Sequence, residues 1–271
     1  MKRLFRSALL TFAQGLSTSL MYRGSLAIFV VSESLAYAGY IAFWYRASQS
    51  STASTIYNGL ELVGYFTLAA FHHTIQDHQT ARDVGSDIRL GRLSYAMIRP
   101  YPYLLQATAR SAATFVSRLA LLTPIFLLVT AFIPGFYQMI ATDFTIIGGI
   151  YYLVALFVAA ASAILTRLVV GMLAFDMTQI WGPDTMLIAL YFATSGSVFP
   201  IDIAPSWLQQ IALWSPTFYM TGFPTLVFIG RVSPEQFANY LMHAGIVFVV
   251  LSGIATLMWQ RGIKRFEAIG I

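Results

Sequence analysis

The densest group of metal-ligating side chains in the sequence is His72, His73, Asp77 and His78. His73 and Asp77 stand four residues apart, so on a helix they share a face and could hold one metal ion between them. A di-iron membrane oxygenase or desaturase draws on about eight histidines, and this sequence has four in all. Polar residues that mark a helix end at a membrane interface explain the group more simply. A phosphate-binding loop needs Gly-x-x-x-x-Gly-Lys-Ser/Thr, and Lys264 stands in Gly262-Ile263-Lys264-Arg265 without that spacing. With no cysteine there is no disulfide, thiolate metal site or cysteine nucleophile. The expectation is a chain with no catalytic residue, metal or cofactor of its own. The alternative is a membrane-embedded enzyme or assembly scaffold that uses the His72/His73/Asp77/His78 region.

Two isolated acids, Glu33 and Glu61, interrupt long apolar stretches, and composition says what those stretches are. Of 271 residues, 58% are hydrophobic and 10% charged, and mean hydropathy is +0.69; soluble domains carry about 25% charged residues. The 58% amounts to roughly 157 apolar residues, enough for about six bilayer spans of about 20 residues each with some left over. Glu33 follows Arg23 by ten residues, which puts it roughly 15 Å along a helix and close to the bilayer centre. A carboxylate there costs about 2.5–3.5 kcal/mol, so it faces protein or water. It serves either as a polar group in a substrate cavity or proton-sensitive site, or as an interhelical hydrogen bond. Glu61 lies near the outer end of its stretch, within reach of the interface.

Hydropathy places spans at residues 24–45, 56–75, 119–137, 145–166, 185–198 and 239–259. The apolar stretch 167–175 either lengthens the fourth span or forms its own turn, and Gly182-Pro183 breaks the chain before the fifth. Ahead of the first span, residues 1–22 show no signal-peptide cleavage pattern. Phe5, Leu9, Phe12, Leu16 and Leu20 recur on one helical face, with Lys2, Arg6, Gln14 and Ser17 opposite, as in a helix lying at the membrane surface.

A net charge of +5 and a pI near 9.5 could suggest nucleic acid in a soluble protein, but here position decides. With the N-terminus cytoplasmic, fourteen of the sixteen basic residues fall on the cytoplasmic side, leaving Arg46 and Arg231 outside, as the positive-inside bias requires. Six spans with both termini cytoplasmic is the consistent arrangement, and no nucleic-acid partner is expected. Two connections are long. The cytoplasmic one, residues 76–118, is charged and helix-compatible. The outer one, residues 199–238, is apolar, aromatic and Pro-rich, and should form short helices dipping back to the membrane surface.

The segment Asp87-Ile88-Arg89-Leu90-Gly91-Arg92-Leu93-Ser94-Tyr95, with Ile98-Arg99-Pro100, resembles the connection after span two in bacterial permease subunits of the ABC type-2 export family. Gly196-Ser197-Val198-Phe199-Pro200, with Pro205 and Trp207, and the tail Gly262-Ile263-Lys264-Arg265-Phe266-Glu267-Ala268-Ile269-Gly270 resemble the same family in the same order. The resemblance implies an all-α membrane protein forming a single transmembrane domain over residues 1–271. It has six spans, an N-terminal elbow helix, a cytoplasmic coupling helix between spans two and three and re-entrant outer helices between spans five and six. It also implies an exporter of the bacterial inner membrane, paired with an identical or sister permease in lipid. A separate ATP-binding subunit would supply ATP and Mg. Arg82, Asp83, Asp87, Arg89 and Arg92 are the candidates for docking that subunit, and Gly196, Phe199 and Pro200 for the outer re-entrant turn. Tyr37, Tyr40, Phe43 and Trp44 are candidates for substrate contact, equally suited to anchoring at the interface, and Gly64 and Pro124 are possible bending points.

Overall fold

The computed structural model describes residues 2–21, 23–48, 57, 59–76, 79–98, 101–132, 136 and 145–266. Among these, every regular element is helical. Helices α1 (Lys2–Met21), α2 (Arg23–Ser48) and α3 (Gly59–Ile75) lead to the short α4 (Thr80–Arg89) and α5 (Leu93–Met97), then to α6 (Tyr103–Ala131) and α7 (Ile146–Met172). After a 3-10 turn, Leu173–Phe175, come α8 (Trp181–Thr194), α9 (Ser206–Trp214), α10 (Pro216–Met220), α11 (Gly222–Phe228) and α12 (Pro234–Arg265). Among the described residues, three stretches are long and apolar enough to cross a membrane: Tyr103–Ala131, Ile146–Phe175 and Pro234–Arg265.

Local chemistry sets these boundaries. Thr145 caps α7, its hydroxyl accepting from the Gly148 N–H at 3.1 Å. Ser233 and Gln236 form a reciprocal capping box at the head of α12, with Pro234 in the first turn where its missing N–H costs nothing. Gly182 and Pro183 likewise sit in the first turn of α8, so they open that helix and do not break the chain before it. Pro124 lies inside α6, which continues through it to Ala131.

Three boundaries differ from the hydropathy reading. α6 starts at Tyr103, well inside the connection assigned to residues 76–118, because Tyr103 through Arg118 continues the helix without a break. The stretch 167–175 divides: residues 167–172 lengthen α7 and Leu173–Phe175 form a 3-10 turn, so Arg167 lies within a helix and is buried, not in a loop between spans. α8 is 14 residues long, short of the about 20 that cross a bilayer, because the chain turns at Ser195 while still inside the protein. α1 also differs from a helix free at a surface: it packs along α6, with Thr11 buried and its hydroxyl 2.6 Å from that of Tyr101, while Leu9 is exposed.

The outer connection does contain short helices, but α10 and α11 do not lie on a surface. Residues 217–227 are all buried, against α7 and α3. At one end of α3 Glu61 meets Arg231 at 3.7 Å; beyond its other end Gln76 donates to the Met220 carbonyl at 2.9 Å. The hairpin therefore follows α3 for about 22 Å, at 1.5 Å per residue. Its aromatic side chains Phe218, Tyr219 and Phe223 join Tyr65 and Phe66 of α3 in the main core.

Candidate functional site

Two places carry charge or polar chemistry that packing alone does not require. The first is the α4–α5 unit. The spacing of Ala81, Val84, Gly85 and Ile88 gives α4 one buried face, which meets Leu168 and Met172 of α7 in a shared core. Close approach is needed: a Cβ on Gly171 of α7 would lie 2.8 Å from the Ala81 carbonyl and 2.8 Å from Val84 Cβ, so only glycine lets α4 sit there.

Charges fasten the same helix. Arg82 Nε lies 3.0 Å from Asp184 Oδ2 in the first turn of α8, and Arg167 of α7 faces the other oxygen of that carboxylate at 3.8 Å. Asp87 accepts from the Tyr103 hydroxyl of α6 at 2.9 Å and from Arg92 Nε at 3.2 Å, with Arg110 at 3.6 Å. Of the five residues expected to dock a partner, Arg82, Asp87 and Arg92 make these contacts within the chain, and Arg82, Asp83, Arg89 and Arg92 are all exposed. The exposed large apolar residues here are Leu90, Tyr95, Met97 and Ile98, with Tyr95 76% and Ile98 81% exposed. Arg99 and Pro100 lie outside the described residues.

The second place is the junction of α2, α3 and α8. Glu33 Oε2 lies 3.4 Å from His73 Nε2, and the His73 ring sits 4.9 Å from that of Tyr191 and 6.0 Å from that of Tyr37. The Tyr191 hydroxyl is 2.5 Å from Thr221 Oγ1 in the hairpin. His72 points elsewhere: its Nδ1 meets Thr225 Oγ1 at 2.8 Å and its Nε2 the Tyr152 hydroxyl at 3.0 Å. Both ring nitrogens of His72 are thereby engaged, and it does not converge with His73. Asp77 and His78 lie outside the described residues, among which no three metal-ligating side chains come together.

In the first turn of α3, Glu61 is far along the helix from His73, the partner of Glu33. It shares Arg231 with Asp202 (3.7 and 3.6 Å), and the guanidinium lies over the Tyr57 ring at 3.7 Å while the Tyr57 hydroxyl donates to Asp202 at 2.7 Å. Gly196 takes φ +80°, a left-handed backbone suited to glycine. Its carbonyl accepts from the Tyr65 hydroxyl at 2.8 Å, and Trp44 Nε1 donates to the Val198 carbonyl at 2.7 Å. Phe199 is half-buried against the main core, and Pro200 leads into the 3-10 turn Ile201–Ile203. Asp184, Asp202 and Thr225 did not stand out in the sequence. A usable signal existed: Arg167 inside an apolar run calls for a nearby acid, and Thr217, Thr221 and Thr225 recur every fourth residue, a polar helical stripe in apolar surroundings.

An all-helical membrane chain with a short charged helix clamped beneath its long apolar helices is the class that fold and site define. The sequence profile described as ABC-2 family transporter protein matches residues 35–270, and the chain belongs to that family. It is a permease-type membrane component of an ABC transporter. Comparison with curated proteins gave no match.

Proposed function

We propose that this chain is the permease subunit of an ATP-driven exporter of the bacterial inner membrane, forming half of the translocation pathway. In this reading α2, α3, α6, α7 and α12 are spans, α8 with the buried residues 195–197 that follow it makes the fifth of six, and α1 is the elbow. Both termini are cytoplasmic, and α9–α11 form the re-entrant outer element. A second permease, identical or sister, completes the pathway within lipid, and a separate ATP-binding subunit binds ATP and Mg.

The observation that carries this proposal is the fastening of α4. A coupling element has to move the spans when the ATPase moves it, so it must be bound to them more firmly than a solvated loop is. α4 meets that requirement through Gly171 to α7, Asp184 to α8 and Asp87 to α6. An apolar patch at a charged face is a feature of interaction sites, and Tyr95 and Ile98 beside Arg89 supply one. This shifts the docking contact from the charges toward these apolar side chains.

The test is purification of the tagged full-length chain in mild detergent with Mg and ATP. An ATP-binding subunit is expected to co-purify, and the double variant Tyr95→Asp, Ile98→Asp is expected to lose it while keeping its own elution profile. Retention of that subunit by the double variant, or its absence from the unmodified chain, would contradict the proposal.

A further inference from the structure

We propose that Glu33, His73, Tyr37 and Tyr191 form a subsite for the cationic head of an amphipathic cargo, an ammonium or guanidinium group on an apolar body. This rests on the permease reading and gives it a substrate class. The argument begins with depth. α2 carries basic residues in its first and last turns, Arg23 and Arg46, and Glu33 lies about 15 Å and about 20 Å along the helix from them. Yet its side chain is 26% exposed and that of His73 15%. Hydrocarbon does not tolerate a carboxylate on its surface, so this opening faces water or a polar ligand.

A pair that existed only to hold α2 to α3 would gain from full enclosure. That task is already met by Tyr37, buried in the shared core, and by Trp44, stacked on Phe66 of α3 at 6.0 Å. What remains is recognition chemistry. His73 Nε2 lies 3.4 Å from the carboxylate and fixes its orientation. The buried Tyr37 and Tyr191 rings pack against the His73 ring at 6.0 and 4.9 Å and hold it beside the carboxylate. Tyr191 is held in place by Thr221, so its ring needs no reordering when a ligand arrives. Phe192, edge-on to Tyr191 at 5.9 Å and exposed, continues the wall along which an apolar body can lie. An anion at this point would meet the Glu33 carboxylate, so the sign of the head group is selected by repulsion as well as attraction.

The test uses the full-length chain in lipid nanodiscs, with empty discs as the blank. Dodecyltrimethylammonium is the probe, and dodecyl sulfate and a neutral polyoxyethylene dodecyl ether are the controls. The unmodified chain is expected to bind the cation at least tenfold more tightly than either control. Glu33→Gln is expected to erase that ranking, Glu33→Asp to retain part of it, and Tyr191→Leu to weaken cation binding several-fold. Equal binding of the three probes by the unmodified chain overturns the proposal, as does a ranking that survives Glu33→Gln. Should Glu33→Gln fail to assemble, the unmodified ranking and its decline in Tyr191→Leu decide the matter. A chain that recruits an ATPase yet shows no ranking loses the subsite alone; a ranking without ATPase recruitment keeps the subsite and loses the permease reading.

Discussion

Asp184→Asn is expected to destabilise the protein by about 3–5 kcal/mol, the cost of leaving one member of a buried ion pair without its counter-charge. The substitution keeps shape and removes only the charge. Arg167, 9% exposed, then faces no carboxylate, whereas Arg82, 59% exposed, loses a contact that solvent largely screens. Asp184 also stands in the first turn of α8, where a negative charge complements the helix dipole. The thermal unfolding midpoint in detergent should fall accordingly. Replacing the whole pair with apolar residues, Arg167→Met with Asp184→Leu, is expected to restore most of the stability, since buried ion pairs are often replaceable by packing. It should not restore coupling, because Arg82 then no longer ties α4 to α8. A variant pair that regains stability and fully coupled transport would show that the Arg82 contact does not transmit movement. An unchanged midpoint for Asp184→Asn would remove the buried-pair argument itself.

His72→Ala is the second large effect, again about 3–5 kcal/mol, as for loss of a buried aromatic side chain. The ring is fully buried and both nitrogens are hydrogen-bonded, one to α11 and one to α7. Its loss leaves a cavity and frees the hairpin from the last turn of α3. Tyr152→Phe, which leaves Nε2 of the buried ring without that partner, should cost less, about 1–3 kcal/mol. Limited proteolysis and unfolding midpoints read both. A stable His72→Ala protein that has lost all function would favour a chemical role for the histidine and revive the membrane-enzyme alternative.

Apolar run length made α6, α7 and α12 legible in the sequence, since a bilayer-length stretch is a property of the chain itself. Side-chain partnership was less legible. Arg167 looks like a loop residue because an arginine in an apolar run normally ends it; its compensation comes from Asp184, seventeen residues later, across a turn that hydropathy does not resolve. The charged residues of α4 look outward-facing by type, yet Arg82 and Asp87 turn toward α8 and α6, since partner choice depends on helix rotation. Glu33 stood out correctly as an acid needing an explanation, but its histidine forty residues on could not be named without the packing of α2 on α3. The depth of the α10–α11 hairpin was hidden for a related reason. Its threonines look surface-seeking, while their hydroxyls bond within the protein: Thr225 to the Thr221 carbonyl, and Thr217 to Ser215 and Thr194.

The central claim is that the α4–α5 surface receives an ATP-binding subunit on the cytoplasmic side. Because the sequence has no cysteine, single-cysteine variants report position without background. Ile98→Cys, beside α5, and Glu235→Cys, in the first turn of α12, would be cross-linked in the intact complex with a short thiol-reactive reagent. The account predicts an adduct between Ile98→Cys and the ATP-binding subunit, labelling of that residue only from the cytoplasmic side, and labelling of Glu235→Cys only from the opposite side. An ATP-binding subunit captured by Glu235→Cys instead, or labelling of both positions from one side, would contradict it.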